Sequence, residues 1–258
     1  MVRVAKAIDI ALEPGVREDA LRGNPDAQNR LGVLYISGKD VPQDVPQAAS
    51  WFRQAADQGY VDAQYNLAAL LDQGAAGETR PSGDQDLAQA VLWYRAAAQQ
   101  NHPDAQYGLA RLYDVGRGVA ADAQAALAWY RQAADLGHAG AQFILGTRYD
   151  AGQGIQQDHQ KAFGFYKRAA ESGHARAQFN LGSMYLAGHG VAIDLVRAHK
   201  WFSLAATAAM PELGDQPARH RLLAASRMGA NQMEQAARLA EQWQPRCNPE
   251  TGRLTPET

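Results

Sequence analysis

In-phase copies of the dipeptide Ala-Gln, each followed four residues after its alanine by leucine, begin at residues 27, 63, 105, 141 and 177, so they are 36, 42, 36 and 36 residues apart. Self-similarity at this period marks a solenoid, in which one supersecondary unit is repeated and stacked. Each unit buries its apolar face only against its neighbours, so one core runs through the stack. The length of 258 residues therefore does not translate into a count of domains.

Aligned on Ala-Gln, leucine returns four residues after each alanine, at Leu31, Leu67, Leu109, Leu145 and Leu181. Four residues later stand Tyr35, Leu71, Tyr113, Tyr149 and Tyr185. Apolar positions at i, i+4 and i+8 define one face of an α-helix, here helix A. A small residue follows each leucine: Gly32, Ala68, Ala110, Gly146 and Gly182. Glycine inside a helix costs about 1 kcal/mol against alanine, so its return implies a neighbouring helix packed close against it.

Helix A ends at Gly38, Gly74, Gly116, Gly152 and Gly188, which suit a left-handed C-cap. Asp44, Asp86, Asp122, Asp158 and Asp194 then read as N-caps of a second helix, helix B. Helix B carries an aromatic pair: Trp51-Phe52, Trp93-Tyr94, Trp129-Tyr130, Phe165-Tyr166 and Trp201-Phe202. It ends at Gly59, Gly137 and Gly173, with Asn101 taking that place in the second unit. The extra length of the 42-residue unit falls in GAAGETRPSGDQD, residues 74–86, a surface loop after which helix resumes at Asp86.

The pattern resembles the Sel-one-like repeat (SLR), a relative of the tetratricopeptide repeat. The fourth unit, AQFILGTRYDAGQGIQQDHQKAFGFYKRAAESGH, carries the resemblance best, and it extends over roughly residues 16–209. The resemblance implies an all-α fold: a right-handed α-solenoid of stacked antiparallel helix pairs with capping helices. The units are 27–62, 63–104, 105–140, 141–176 and 177–212, with N-terminal capping helices in 1–26. Residues 213–244 read as C-terminal capping helices and 245–258 as a disordered tail. The expected core is Leu, Ala, Tyr and Trp.

Net charge is −2, and no lysine- or arginine-rich run is present, so the electrostatic footprint of a nucleic-acid binder is missing. Cys247 is the sole cysteine, which excludes an intramolecular disulfide and a four-cysteine metal site. No apolar run of about 18 residues suggests a membrane span. Lys6 and Asp9 interrupt what would be the apolar core of a signal peptide. The chain as written therefore reads as cytoplasmic, and as periplasmic if a leader has been removed.

Helix A in tetratricopeptide-type stacks lines the concave surface, and the resemblance carries that role to three rows here. The first is Asn29, Tyr65, Tyr107, Phe143 and Phe179; the second is Val33, Ala69, Arg111, Thr147 and Ser183. The third is Ile36, Asp72, Asp114, Asp150 and Leu186. The rings either pack the stack or serve as rigid anchors for a peptide. The aspartates lie where the helix dipole disfavours negative charge, so helix stability does not explain them. They either accept hydrogen bonds from the following turn or form an acidic edge that selects a basic partner, with Arg111 opposite in charge.

His102, His138 and His174 recur after helix B, but equivalent positions in stacked helices lie about 10 Å apart, too far to share a zinc ion. The motifs H-E-x-x-H, P-loop, G-x-S-x-G and S-x-x-K are absent, so neither catalysis nor a cofactor is expected. The expected function is a non-catalytic adaptor for a protein or peptide in a concave groove, in bacterial signalling or assembly. Tyr65, Tyr107, Phe143 and Phe179 would anchor the partner, and Arg111, Asp72, Asp114 and Asp150 would set specificity. The alternatives are an exported regulator of a membrane signalling or polysaccharide system, or a cell-wall hydrolase.

Overall fold

The computed structural model describes residues 15–39, 41–74, 83–208 and 213–245. Among these residues the secondary structure is entirely helical. Helix A of each repeat is α2 (Pro25–Ser37), α4 (Val61–Asp72), α6 (Pro103–Val115), α8 (Ala139–Ala151) and α10 (Ala175–Ala187). Helix B is α3 (Val45–Asp57), α5 (Asp84–Gln99), α7 (Ala123–Asp135), α9 (His159–Glu171) and α11 (Leu195–Thr207). Before them comes α1 (Val16–Leu21), and after them α12 (Gln216–Ala225) and α13 (Ala230–Glu241). The chain forms two compact units, Met1–Ala133 and Ala134–Thr258. Residues 1–14 of the expected N-terminal cap, loop residues 75–82, 209–212 and the tail 246–258 with Cys247 lie outside the described residues.

The helix boundaries follow from capping chemistry. Asp44, Asp122, Asp158 and Asp194 each accept a backbone N–H from the first turn of helix B, at 2.9 Å in every case. Asp158 consequently titrates below the usual carboxylate range, held there first by the Lys161 backbone N–H and then by its side chain. Asp86 does not cap: α5 starts two residues earlier, at Asp84, with Gly83 in the N-cap position. Residues 84–86 thereby join helix B, which runs 16 residues here against 13 in α3, α7, α9 and α11, most of one extra turn. Asn101, at φ 62°, is the one non-glycine residue with positive φ among the described residues, in the turn that Gly59, Gly137 and Gly173 make elsewhere.

Two kinds of joint hold the helices. Within a repeat, the second aromatic of helix B lies on the small residue of helix A. An added Cβ at Gly146 would come within 2.7 Å of the Tyr166 ring, and one at Gly182 within 2.9 Å of Phe202. These rings, with Phe52, Tyr94 and Tyr130, are buried, among alanines that are almost wholly enclosed. Of the tryptophans in the B helices, Trp51, Trp93 and Trp129 pack half-buried against the core, and Trp201 is buried in it. The outer ring of each pair covers the joint while the inner one fills it.

Between repeats an apolar seam carries a buried polar tie. Gln28, Gln64, Gln106, Gln142 and Gln178, one at the start of each helix A, are buried, and the Nε2 of each donates to a carbonyl in the last turn of the preceding helix. The acceptors are Ala20, Ala56, Ala98, Ala134 and Ala170, at 3.0–3.3 Å. The last carbonyls of a helix lack intrahelical donors, and this side chain supplies one at each junction. The short α1 supplies the Ala20 carbonyl and so stands in for helix B of an earlier repeat.

Candidate functional site

The aromatic row on helix A is built into the joints. In the first unit, Tyr65 packs against Tyr94 at 6.1 Å between centroids and stacks on His102 at 4.7 Å. Tyr107 lies 5.8 Å from Tyr130. In the second unit, Phe143 meets Tyr166 at 6.0 Å and stacks on His174 at 4.6 Å. Phe179 sits 5.7 Å from Phe202 and 5.2 Å from His220. Each ring is half-buried, with one side held by the stack.

His102 and His174, which stack on these rings, are helix N-caps, as is His138. Nδ1 of His102, His138 and His174 accepts the backbone N–H of Ala105, Ala141 and Ala177 at 3.0–3.2 Å. Accepting there requires the neutral tautomer with its proton on Nε2. That Nε2 of His102 faces Asp62 Oδ1 of the previous helix A at 3.6 Å. Tyr60 takes the equivalent place one repeat earlier and donates its hydroxyl to Asp26 at 2.8 Å. Burial, followed by that hydrogen bond to Asp26, keeps the Tyr60 hydroxyl protonated well beyond the usual range. The recurrence of histidine was visible in the sequence; its role was not, because histidine is not a common capping residue.

The second row divides by repeat. Val33 and Ala69 are buried, so in the first two repeats it belongs to the core, as does Asn29 of the first row. Asn29 Oδ1 accepts from Asn66 Nδ2 at 3.0 Å, a buried amide pair that ties the first two A helices. From the third repeat onward the stripe reaches the surface: Arg111 and Asp114 are exposed on α6. Thr147 and Ser183 are half-buried and return their hydroxyls to the carbonyls of Phe143 and Phe179, both at 3.1 Å.

The three aspartates have separate surroundings. Asp72, 12% exposed, is pinned by Arg117 of the next repeat, whose Nη1 lies 3.3 Å from Oδ1 and whose Nη2 donates to the Asp72 carbonyl. Oδ1 has no aligned hydrogen bond, so the contact is an ion pair. Tyr94 lies within electrostatic reach of both Asp72 and Arg111; burial, before Asp72, pushes its hydroxyl up. Asp150, 40% exposed, lies 2.8 Å from His159 Nδ1, and the His159 ring stacks on His189 at 5.5 Å. Among the described residues no three His, Cys, Asp or Glu side chains form a group able to hold a metal, and no helix is long and apolar enough to cross a membrane.

Five consecutive matches to the Sel1 repeat cover residues 25–60, 61–102, 103–138, 139–174 and 175–209. The chain belongs to the Sel1 repeat family. Its Sel1 repeats share their fold with solved relatives. A Sel1 repeat protein from Oxalobacter formigenes is 31% identical, with 86% of each chain covered and a TM-score of 0.69. The protein c5321, a protective antigen present in uropathogenic Escherichia coli strains and displaying an SLR fold, is 33% identical with a TM-score of 0.56. That match covers 88% of this chain and 55% of the antigen, so the chain spans about half the antigen's length. Among curated proteins, none matches. Sel1 repeats make an all-helical, tetratricopeptide-like solenoid, and proteins built from them are generally protein-interaction scaffolds.

Proposed function

We propose that this Sel1 repeat chain is a non-catalytic adaptor that binds a protein or peptide on the exposed side of its A helices, in bacterial signalling or assembly. The observation that carries the reading is the state of the aromatic row. Tyr107, Phe143 and Phe179 are each fixed on one side by a neighbouring ring and half-exposed on the other. A ring already immobilised loses little rotamer freedom when a partner covers it, which is the property of an interface anchor. Arg111 and Asp114 add exposed charges of opposite sign beside Tyr107 on α6. Both similar structures come from bacteria, which supports the bacterial setting.

The test is affinity capture from the native host, comparing wild type with the Arg111→Glu, Asp114→Lys variant by quantitative mass spectrometry. Exposed substitutions away from packing shift stability by about 0.5 kcal/mol or less, so the fold should survive. A protein retained by wild type and lost by the variant supports the reading. Recovery of the same proteins by both would overturn the assignment of the binding face.

A further inference from the structure

The second unit contains a cleft of about 570 Å³ walled by α9, α11 and the C-terminal helix α13, with Tyr185 of α10 in its floor. We propose that this cleft binds an acidic peptide segment. Its volume falls within the range of ligand pockets, roughly 300–1,000 Å³. One wall, with Gln235 and Leu239, comes from α13, which stands outside the repeat, so the cleft is not something every repeat generates. The T-shaped contact of Trp243 with Trp201, at 6.2 Å, fixes the end of that wall.

Three cations, Lys167, Arg197 and Lys200, line the cleft with two carboxylates, Glu171 and Asp194; Lys167 Nζ lies 4.0 Å from Glu171 and Arg197 Nε 3.5 Å from Asp194, so the lining carries a net charge of +1. Their depths differ. Lys167 and Arg197 are 52% and 59% exposed, whereas Glu171 and Asp194 are 18% and 33% exposed. Asp194 is also occupied as the N-cap of α11. An approaching ligand therefore meets positive charge first, the arrangement that favours capture of an anion.

Two of the cations are held over aromatic rings. Lys200 Nζ lies 4.5 Å from the centroid of Trp201, and the Arg197 guanidinium 5.7 Å from that of Tyr185. Cation–π contact restrains these long side chains, lowering the entropy lost when they grip a carboxylate. Burial raises the Tyr185 hydroxyl above its ordinary range, so it remains a donor at neutral pH. The deeper Glu171 selects among anions. It repels a continuous phosphate string, which has no donor to offer it, whereas a peptide backbone presents N–H groups. Leu239 and Val196 provide apolar contact for a neighbouring side chain.

The test is fluorescence anisotropy with a labelled, end-blocked peptide of alternating glutamate and leucine, at low salt. Saturable binding is expected, weakened about tenfold or more by Lys167→Glu with Lys200→Gln, as loss of charged hydrogen bonds predicts. Raised salt should weaken it further. Arg53→Glu on α3 and Arg111→Glu on α6 should leave it unchanged, which separates this cleft from the A-helix face. Circular dichroism melts confirm that each variant is folded, and Lys200→Arg, which keeps the charge, should bind. No saturation, equal binding by the cleft variant, or tighter binding of an oligothymidylate at the same residues would overturn the proposal.

Discussion

Replacing Gly118 with alanine tests how closely successive repeats approach. Gly118 follows α6 with φ 68°, and a Cβ there would lie 2.5 Å from the carbonyl carbon and oxygen of Leu87. The left-handed conformation costs an L-residue about 1–2 kcal/mol. Carbon–carbon contacts settle near 3.5–4.0 Å, so the start of α5 would have to retreat by about 1 Å. Overpacking of that size adds about 1–3 kcal/mol. The total, about 2–5 kcal/mol, is a large share of the 5–15 kcal/mol that typically holds a protein folded. Gly59 supplies the control: its φ is 85°, and among the described residues nothing lies within 4 Å of an added Cβ. Gly59→Ala should therefore show the conformational cost alone. Urea unfolding followed by circular dichroism, with the m-value unchanged, should place Gly118→Ala at least about 1 kcal/mol below Gly59→Ala. Equal losses would refute the reasoning, because they would mean the α5 backbone yields freely.

Three further outcomes follow from the joints. Gln106→Leu removes one bond to the Ala98 carbonyl but also a buried Oε1 with no partner, so urea titration should find it within about 0.5 kcal/mol of wild type. Gln64→Leu also breaks the 2.9 Å bond from Gln100 to Gln64 Oε1 and should cost about 1 kcal/mol more. His174→Ala removes an N-cap and the stacking on Phe143, lowering stability by about 1–2 kcal/mol; His174→Asn should restore the cap but not the stacking. His199 is buried, and that burial, with Arg221 nearby, lowers its pKa below the ordinary 6.5. The folded state thus binds fewer protons than the unfolded chain, so stability present above about pH 6.5 falls as the pH drops through that range. Melting curves of His199→Leu should show a shallower loss between neutral and mildly acid pH.

The features legible in the sequence were those with a local cause. Asn101 was readable as a left-handed turn because it replaces a recurrent glycine, and Asp44, Asp158 and Asp194 as caps because they precede amphipathic runs. The close packing implied by Gly146 and Gly182 was legible for the same reason, although the ring that fills each space was not. What escaped the sequence was pairing across a turn or between repeats. The glutamine of Ala-Gln reaches eight residues back across the turn between helix B and the next helix A, a contact that the periodicity within either helix does not flag. Val33 and Ala69 share a register with Arg111, yet the first two repeats bury that position, and only tertiary packing decides which copy is exposed. Asp86 was misplaced as a cap because alignment by repeat cannot foresee a helix that starts earlier than its counterparts, here at Asp84.

The contrast between the two joints has a mechanical consequence. Within a repeat the helices share an enclosed aromatic ring; between repeats they meet along a seam of alanine and leucine tied by the buried glutamine and by pairs such as Asn66–Asn29 and Arg117–Asp72. Pulled from its ends, the chain should yield at the glutamine junctions and release whole A–B pairs. At about 3.6 Å per extended residue, four repeats of 35–36 residues would each release about 130 Å of chain, and the 42-residue repeat, 61–102, about 150 Å. The second repeat would thus identify itself in a force trace as the one longer step among five.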